Sequence, residues 1–228
     1  SYVLVPFVVT NLKGLPVRDL REQDVTLLVD GTPVKTDLFA RSDDAPVSFT
    51  QDTARVVAAV NAVKPFGRTA FFDALAKMPD KSLLGKNGSR AIILLTDGID
   101  NASALSSDDL AALLEGVDVP VYPIGLRSPG PPVFPAPGQS LEGLLNLEIL
   151  GHVARITGGR LSIVDEASRL PDSVRLIEKD LRAQYLLGFT AAGTGPVRFR
   201  RIALRLSGPL RAIRVRAGYK GPAPPAKG

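Results

Sequence analysis

Along the first forty or so residues, apolar side chains recur at short spacing and are broken by turn residues. Val3, Val5, Phe7 and Val9 alternate with Leu4, Pro6 and Val8, the pattern of a largely buried strand. Asn11-Leu12-Lys13-Gly14 reads as a turn. Val25–Val29, then Asp30-Gly31, then residues 34–39 read as a hairpin, because Asp-Gly accepts the positive φ angles of a tight primed turn. The C-terminal part has the same short period. Residues 184–190, 197–206 and 210–218 are three predicted strands between Gly, Pro and Ser turns. In the third, Ile213 and Val215 alternate with Arg214 and Arg216, giving one apolar and one cationic face. The alternation slips at Arg200-Arg201, which predicts a bulge. Neither end alone has enough strands to cover a core, but together they supply about six. The expected arrangement is one discontinuous β-sandwich, residues 1–46 plus 183–220, with a disordered tail over 221–228.

The insert, residues 47–182, changes period and alternates strand with helix in the βαβ manner. Residues 53–63 and 70–78 are predicted helices, the first with Val56, Val60 and Val63 on one face. Residues 91–95 form an almost wholly apolar run, as expected of a strand buried on both faces of a parallel sheet. Ser107–Leu114 follows as a helix, with Ser106 or Ser107 as N-cap and acids in the first turn. Residues 119–126 read as another buried strand, and 128–140 as a stiff Pro/Gly-rich excursion. Residues 144–156 are helical and stop at Gly158-Gly159, 161–164 are a short strand, and 167–182 a final helix. That helix presents Leu170, Val174, Ile177 and Leu181 at helical spacing.

Charge separates the two parts. The chain of 228 residues carries a net +5. Of its 28 basic residues, seven Arg and two Lys lie beyond residue 183, where there is no acid. That leaves 19 bases against 23 acids, so residues 1–182 carry −4 and the basic character belongs to the C-terminal strands. An arginine-rich strand can bind a polyanion. The aromatics there (Tyr185, Phe189, Phe199, Tyr219) are not interleaved as base-stacking platforms, which argues against nucleic acid. No apolar run is long enough to cross a bilayer. The sequence starts directly before the apolar run Tyr2 to Val5, so any signal peptide or anchor is expected upstream of it. The absence of cysteine excludes disulfides and thiolate metal sites, and fits cytoplasm and periplasm alike.

Two segments carry chemistry. In Leu94-Leu95-Thr96-Asp97-Gly98-Ile99-Asp100-Asn101 a buried strand delivers a carboxylate and then a glycine at its C-terminal edge, where open α/β sheets place their ligands. Gly67-Arg68-Thr69-Ala70 puts a hydroxyl at the start of a helix. Hydroxyl and carboxylate oxygens, with waters, suit a hard cation. Asp100 reads as a loop acid or as an outer carboxylate of the same site. Nucleophilic hydrolase chemistry has little support: there is no Cys, one His (His152) without a placed partner, no Gly-x-Ser-x-Gly elbow and no phosphate-binding Gly-x-x-x-x-Gly-Lys-Ser/Thr loop.

These segments, in order, resemble the von Willebrand factor A (VWA) family, most closely the VWA-related proteins of acidobacteria and other soil bacteria. The matching stretches are residues 17–31, 67–75, 92–101 and 119–125, then Thr157-Gly158-Gly159, 184–189 and 216–219. The resemblance implies an α/β fold, a VWA (Rossmann-like) doubly wound sheet inserted in a small discontinuous β-sandwich. It also implies a metal-ion-dependent adhesion site. Thr69 and Asp97 would be the ligands of Mg²⁺ or Mn²⁺, with Gly67, Arg68, Gly98 and Asp100 around the contact with a partner protein offering an acidic side chain. A periplasmic, cell-surface or secreted location follows from the same resemblance.

The family's first metal loop, Asp-x-Ser-x-Ser, occurs nowhere in the chain. A strand, a crossover helix and two further strands, roughly 45 to 60 residues, would stand between Phe49 and Thr50. Removing the first of those strands leaves ladder groups unpaired and a slot in the core, so a segment is expected to be missing at that join. A real deletion, with loss of the metal site, is the other reading. The expected function is a protein-interaction or adhesion module that depends on a divalent metal, and not an enzyme. A metal-free structural or assembly module and a polyanion-binding protein are the alternatives.

Overall fold

The computed structural model describes residues 2–41, 53–62, 69–77, 90–98, 100, 102–126 and 142–223. The ends of the chain pair with each other. Strands β1 (Tyr2–Thr10), β4 (Leu38–Arg41), β8 (Tyr185–Thr190) and β10 (Ala212–Val215) form one antiparallel sheet in the order β10-β1-β8-β4. Strands β2 (Val25–Val29), β3 (Thr32–Val34), β9 (Val197–Leu206) and β11 (Gly218–Pro222) form a second, β11-β9-β2-β3. The period-2 pattern explains their packing: Val3, Val5, Phe7 and Val9 from β1 meet Leu27, Val29 and Ile202 across one shared core. Phe7 stacks on Tyr185 with ring centroids 5.3 Å apart, and Phe189 meets Tyr219 edge-on across the two sheets at 5.6 Å. Each such fully buried side chain contributes about 1.5–3 kcal/mol.

The Asp30-Gly31 turn has φ of 50° and 80° at its two residues, joining β2 to β3 as the dipeptide predicts. Among the described residues, four strands rather than the three expected follow residue 183. The predicted strand over 210–218 is divided, because the chain leaves one sheet after Val215 and enters the other at Gly218. The bulge expected at Arg200-Arg201 is absent from the pairing, which runs through Arg201↔Gly218 and on to Ile202↔Val29. Arg200 takes an inward, buried position there. Its guanidinium is held 2.6 Å from Asp30 Oδ2 and 2.8 Å from the Pro222 carbonyl. Strand β11 also takes in Gly221 and Pro222, and Ala223 exchanges backbone hydrogen bonds with Gly195 and Pro196, so order extends into the expected tail.

Between the sandwich strands lie α1 (Thr53–Ala62), α2 (Phe71–Ala76), β5 (Ile92–Thr96), α3 (Ser107–Leu114), β6 (Val121–Leu126), α4 (Glu142–Thr157), β7 (Ser162–Val164) and α5 (Leu170–Arg182). The expected fold class, a doubly wound VWA-type sheet, is corrected. Among the described residues most strands are antiparallel, and the parallel part is a three-stranded sheet, β5-β6-β7. Among the described residues, strand β5 pairs with β6 alone. It is not buried on both faces as its apolar run suggested: Ile93 and Leu95 are 51% and 53% exposed. Apolarity of a run reports hydrophobic content, not cover. Helices α2, α3 and α4 pack on one face of this sheet through Leu75, Leu110, Leu114, Leu150 and Val153, and α5 packs on the other through Ile177 and Leu181. Ser106 caps α3, accepting from the Asp109 amide while the Asp109 carboxylate receives the Ser106 amide. In α5, Val174 is 48% exposed, and the buried stripe includes Ser173 and Asp180 instead.

Asp180 joins the layers. Its carboxylate, 2% exposed, receives Arg214 Nη1 from β10 at 2.6 Å and Arg160 Nη2 from the turn before β7 at 3.3 Å. Beside it, Thr157 Oγ1 donates to the Val153 carbonyl and accepts the Val121 amide, and the Ala217 amide donates to the Ile156 carbonyl. Gly158, at φ 83°, lies against the backbone of Val215 and Arg216, and Gly159 against the Val121 carbonyl, so a β-carbon at either would collide with main chain. Replacing Asp180 with Ala leaves two inner guanidinium groups facing no carboxylate. Urea unfolding of that variant is expected to show a loss of about 3–5 kcal/mol; a change under about 1 kcal/mol would mean that the clamp does not hold the layers.

Candidate functional site

Strand β5 ends at Thr96, and the loop after it carries Asp97, Gly98 and Asp100 to the C-terminal edge of the parallel sheet. Gly98 is buried at φ 78°, and its amide donates to Thr96 Oγ1 at 3.0 Å. It shapes the turn by accepting a left-handed backbone. Asp97 is exposed beside it.

Asp100 is a structural clamp. Its Oδ2 accepts the Phe72 amide at 2.8 Å and the Ser103 hydroxyl at 2.6 Å, and its Oδ1 accepts the Ser103 and Ala102 amides. Asp73 answers from the first turn of α2, accepting the Ala104 and Leu105 amides, while its own amide donates to Ser103 Oγ. These reciprocal bonds fasten the start of α2 to the loop after β5. They set the segment carrying Thr69, which is exposed, alongside the loop carrying Asp97. The sequence signalled Thr69, Asp97 and Asp100 but missed Asp73 and Ser103. Asp73 had only its place in a first helical turn to mark it. Gly67 and Arg68 lie outside the described residues, as does the Pro-rich stretch 128–140.

Partial burial pushes the Asp100 carboxyl up. The Ser103 hydroxyl and the Phe72, Ser103 and Ala102 amides outweigh that and hold it below the ordinary carboxylate range. As donors, an exposed hydroxyl and an exposed carboxylate fit a hard cation in kind, since Mg²⁺ takes one or two protein carboxylates and keeps several waters. They are few in number. Among the described residues no three His, Cys, Asp or Glu cluster as a metal cage, and the Asp100 oxygens are already engaged. His152, on α4, lies with Nδ1 2.9 Å from Arg155 Nη2 on an exposed face, with no nucleophile among the described residues bonded to it.

Among the arginines of the C-terminal strands, Arg201 and Arg205 are exposed, and others meet carboxylates or are buried. Arg198 and Arg200 pair with Asp30, Arg214 pairs with Asp180, and Arg216 is buried.

Asn in place of Asp100 keeps the shape and removes the charge, which is expected to cost about 1–2 kcal/mol at neutral pH. The folded carboxyl sits below its unfolded value of about 3.9, so its contribution is complete above about pH 4 and disappears as pH falls through the lower folded value. Urea unfolding at pH 6 and pH 3 should therefore show the native protein losing more stability on acidification than Asp100→Asn. Equal losses would remove Asp100 from the acid response.

Comparison with protein-family models, with curated proteins and with solved structures finds no match for this chain.

Proposed function

We propose that this chain is a non-catalytic binding module that engages a partner protein at the C-terminal edge of its parallel sheet. Thr69 and Asp97 would hold a Mg²⁺ or Mn²⁺ ion there, and an acidic side chain of the partner would complete its coordination. The observation that supports this most is the Asp100–Asp73 clamp, which fixes the two segments that carry the oxygen donors side by side. The resemblance of those segments to the VWA family supports the same chemistry. With no Cys and one His, the chain gives thiol or histidine-based nucleophilic catalysis little to work with. No described helix is long and apolar enough to cross a membrane.

A metal-free assembly module is the second reading, favoured by the small number of donors at the edge. A polyanion-binding role for the C-terminal strands has less support, because Arg198, Arg200 and Arg214 already face carboxylates. Titration calorimetry with MgCl₂ and MnCl₂ separates the first two. Saturable binding is expected for the native protein, at least about tenfold weaker in Asp97→Ala, with unfolding in urea little changed by the substitution. If native protein and Asp97→Ala give the same featureless titration with both ions, the metal reading fails and the metal-free module replaces it.

A further inference from the structure

At the opposite, N-terminal edge of the parallel sheet a cleft of about 300 Å³ opens between that sheet and the sandwich. One wall is the outer face of β1 and β8, with Leu4, Pro6 and Leu186; the other is the loop from Glu115 to Pro120 before β6. Arg216, at the crossing from β10 to β11, lines it.

Arg216 differs from the other inner arginines. Arg160, Arg200 and Arg214 each lie against a carboxylate within 3.3 Å. The Arg216 side chain makes no hydrogen bond to a described residue although the residue is only 5% exposed, and its Nε is buried without a hydrogen-bond partner among the described residues. The Asp118 charge acts on it, and Asp118 is engaged by Arg90 at 3.3 Å. Burial lowers the Arg216 pKa, the mark of a cation removed from water without full compensation. Gln184, also 5% exposed, lines the same cleft, and among the described residues its carboxamide has no hydrogen bond. Lys220 lines it too, with its ammonium already on the Ala112 carbonyl at 3.2 Å. A buried guanidinium is a planar fork of donors that matches a carboxylate. A buried charge left without hydrogen bonds is costly, so a ligand that supplies them gains what the protein lacks.

We propose that this cleft is a binding site for a small aliphatic monocarboxylate, with the Arg216 guanidinium as its anchor and the Gln184 carboxamide as a second donor. Glu115 and Asp118 in the same walls disfavour a phosphate dianion more strongly than a single negative charge. Leu4, Pro6, Val119 and Leu186 give the hydrocarbon body an apolar wall. The site lies at the other end of the parallel strands from Thr69 and Asp97 and is independent of any cation there.

The test is a titration of the ¹⁵N-arginine-labelled full chain with sodium hexanoate, followed by the side-chain Nε–H signals. Sodium chloride and sodium phosphate at matched ionic strength are the controls. The signal lost in Arg216→Lys is expected to shift saturably with hexanoate, several-fold more weakly with acetate, and not with chloride or phosphate. Leu186→Trp narrows the cleft without touching the guanidinium. It is expected to weaken hexanoate binding at least tenfold while the protein stays folded by circular dichroism, which keeps the idea testable if Arg216→Lys does not fold. The proposal is overturned if hexanoate moves no Nε–H signal more than chloride does, if phosphate produces an equal saturable shift, or if folded Leu186→Trp binds hexanoate as the native protein does.

Discussion

The two parts of this molecule are held in register by one carboxylate. Asp180 lies on the inner stripe of α5, where helical spacing calls for an apolar residue, and it receives one arginine from the turn before β7 and one from β10. A carboxylate removed from water is costly on its own, so the arrangement is stable only while both guanidinium groups are in place. That requirement fixes the depth to which α5 sinks and the position of β10 against the helices. Burial, with the Asp180 charge beside it, raises the Tyr122 phenol well above its ordinary value, so this hydroxyl stays neutral in the same pocket.

Short-range geometry completes the joint. The C-terminus of α4 is pressed against β6 on one side and against the β10–β11 crossing on the other, so Thr157-Gly158-Gly159 must serve three strands in three residues. The threonine hydroxyl takes a backbone amide, and the glycines leave room for two approaching main chains. From this joint the chain turns at Arg216-Ala217 and changes sheets. The same turn that binds the sandwich to the helices therefore also leaves Arg216 at the wall of the cleft between them.

Local chemistry was legible in the residues and long-range pairing was not. Asp30-Gly31 announced its turn because the φ angles depend on those two residues alone, and Ser106 announced its cap because its partner is three residues away. The edge site proposed at Thr69 and Asp97 rests on local patterns as well, a strand-end carboxylate and a helix-start hydroxyl. What failed needed a partner far along the chain. Arg200-Arg201 looked like a slip in alternation because an inward arginine has no apolar signature. Its reason is Asp30, 170 residues earlier. Val174 fits the helical period as well as Ile177, yet the buried stripe runs through Ser173, Ile177, Asp180 and Leu181 and leaves Val174 half-exposed. The exposure of Ile93 and Leu95 could not be read from an apolar run, because cover depends on which elements arrive above it.

The parallel strands have two ends, and their chemistry differs for a physical reason. At the C-terminal ends the chain leaves each strand into a loop, so oxygen donors are presented outward and their setting comes from hydrogen bonds within the loops, as Asp100 and Asp73 provide. At the N-terminal ends the strands butt against the outer face of the sandwich, and side chains there are enclosed by two bodies at once. A polar group in the first place can be satisfied by water and by neighbouring amides. One in the second must find a partner at the same edge, as Arg90 finds Asp118, or go without a hydrogen bond among the described residues, as Arg216 Nε does. Exposure and solvation thus suit the first edge to exchangeable contacts with another macromolecule. Enclosure and a deficit of hydrogen bonds suit the second to a small molecule that can enter and fill it.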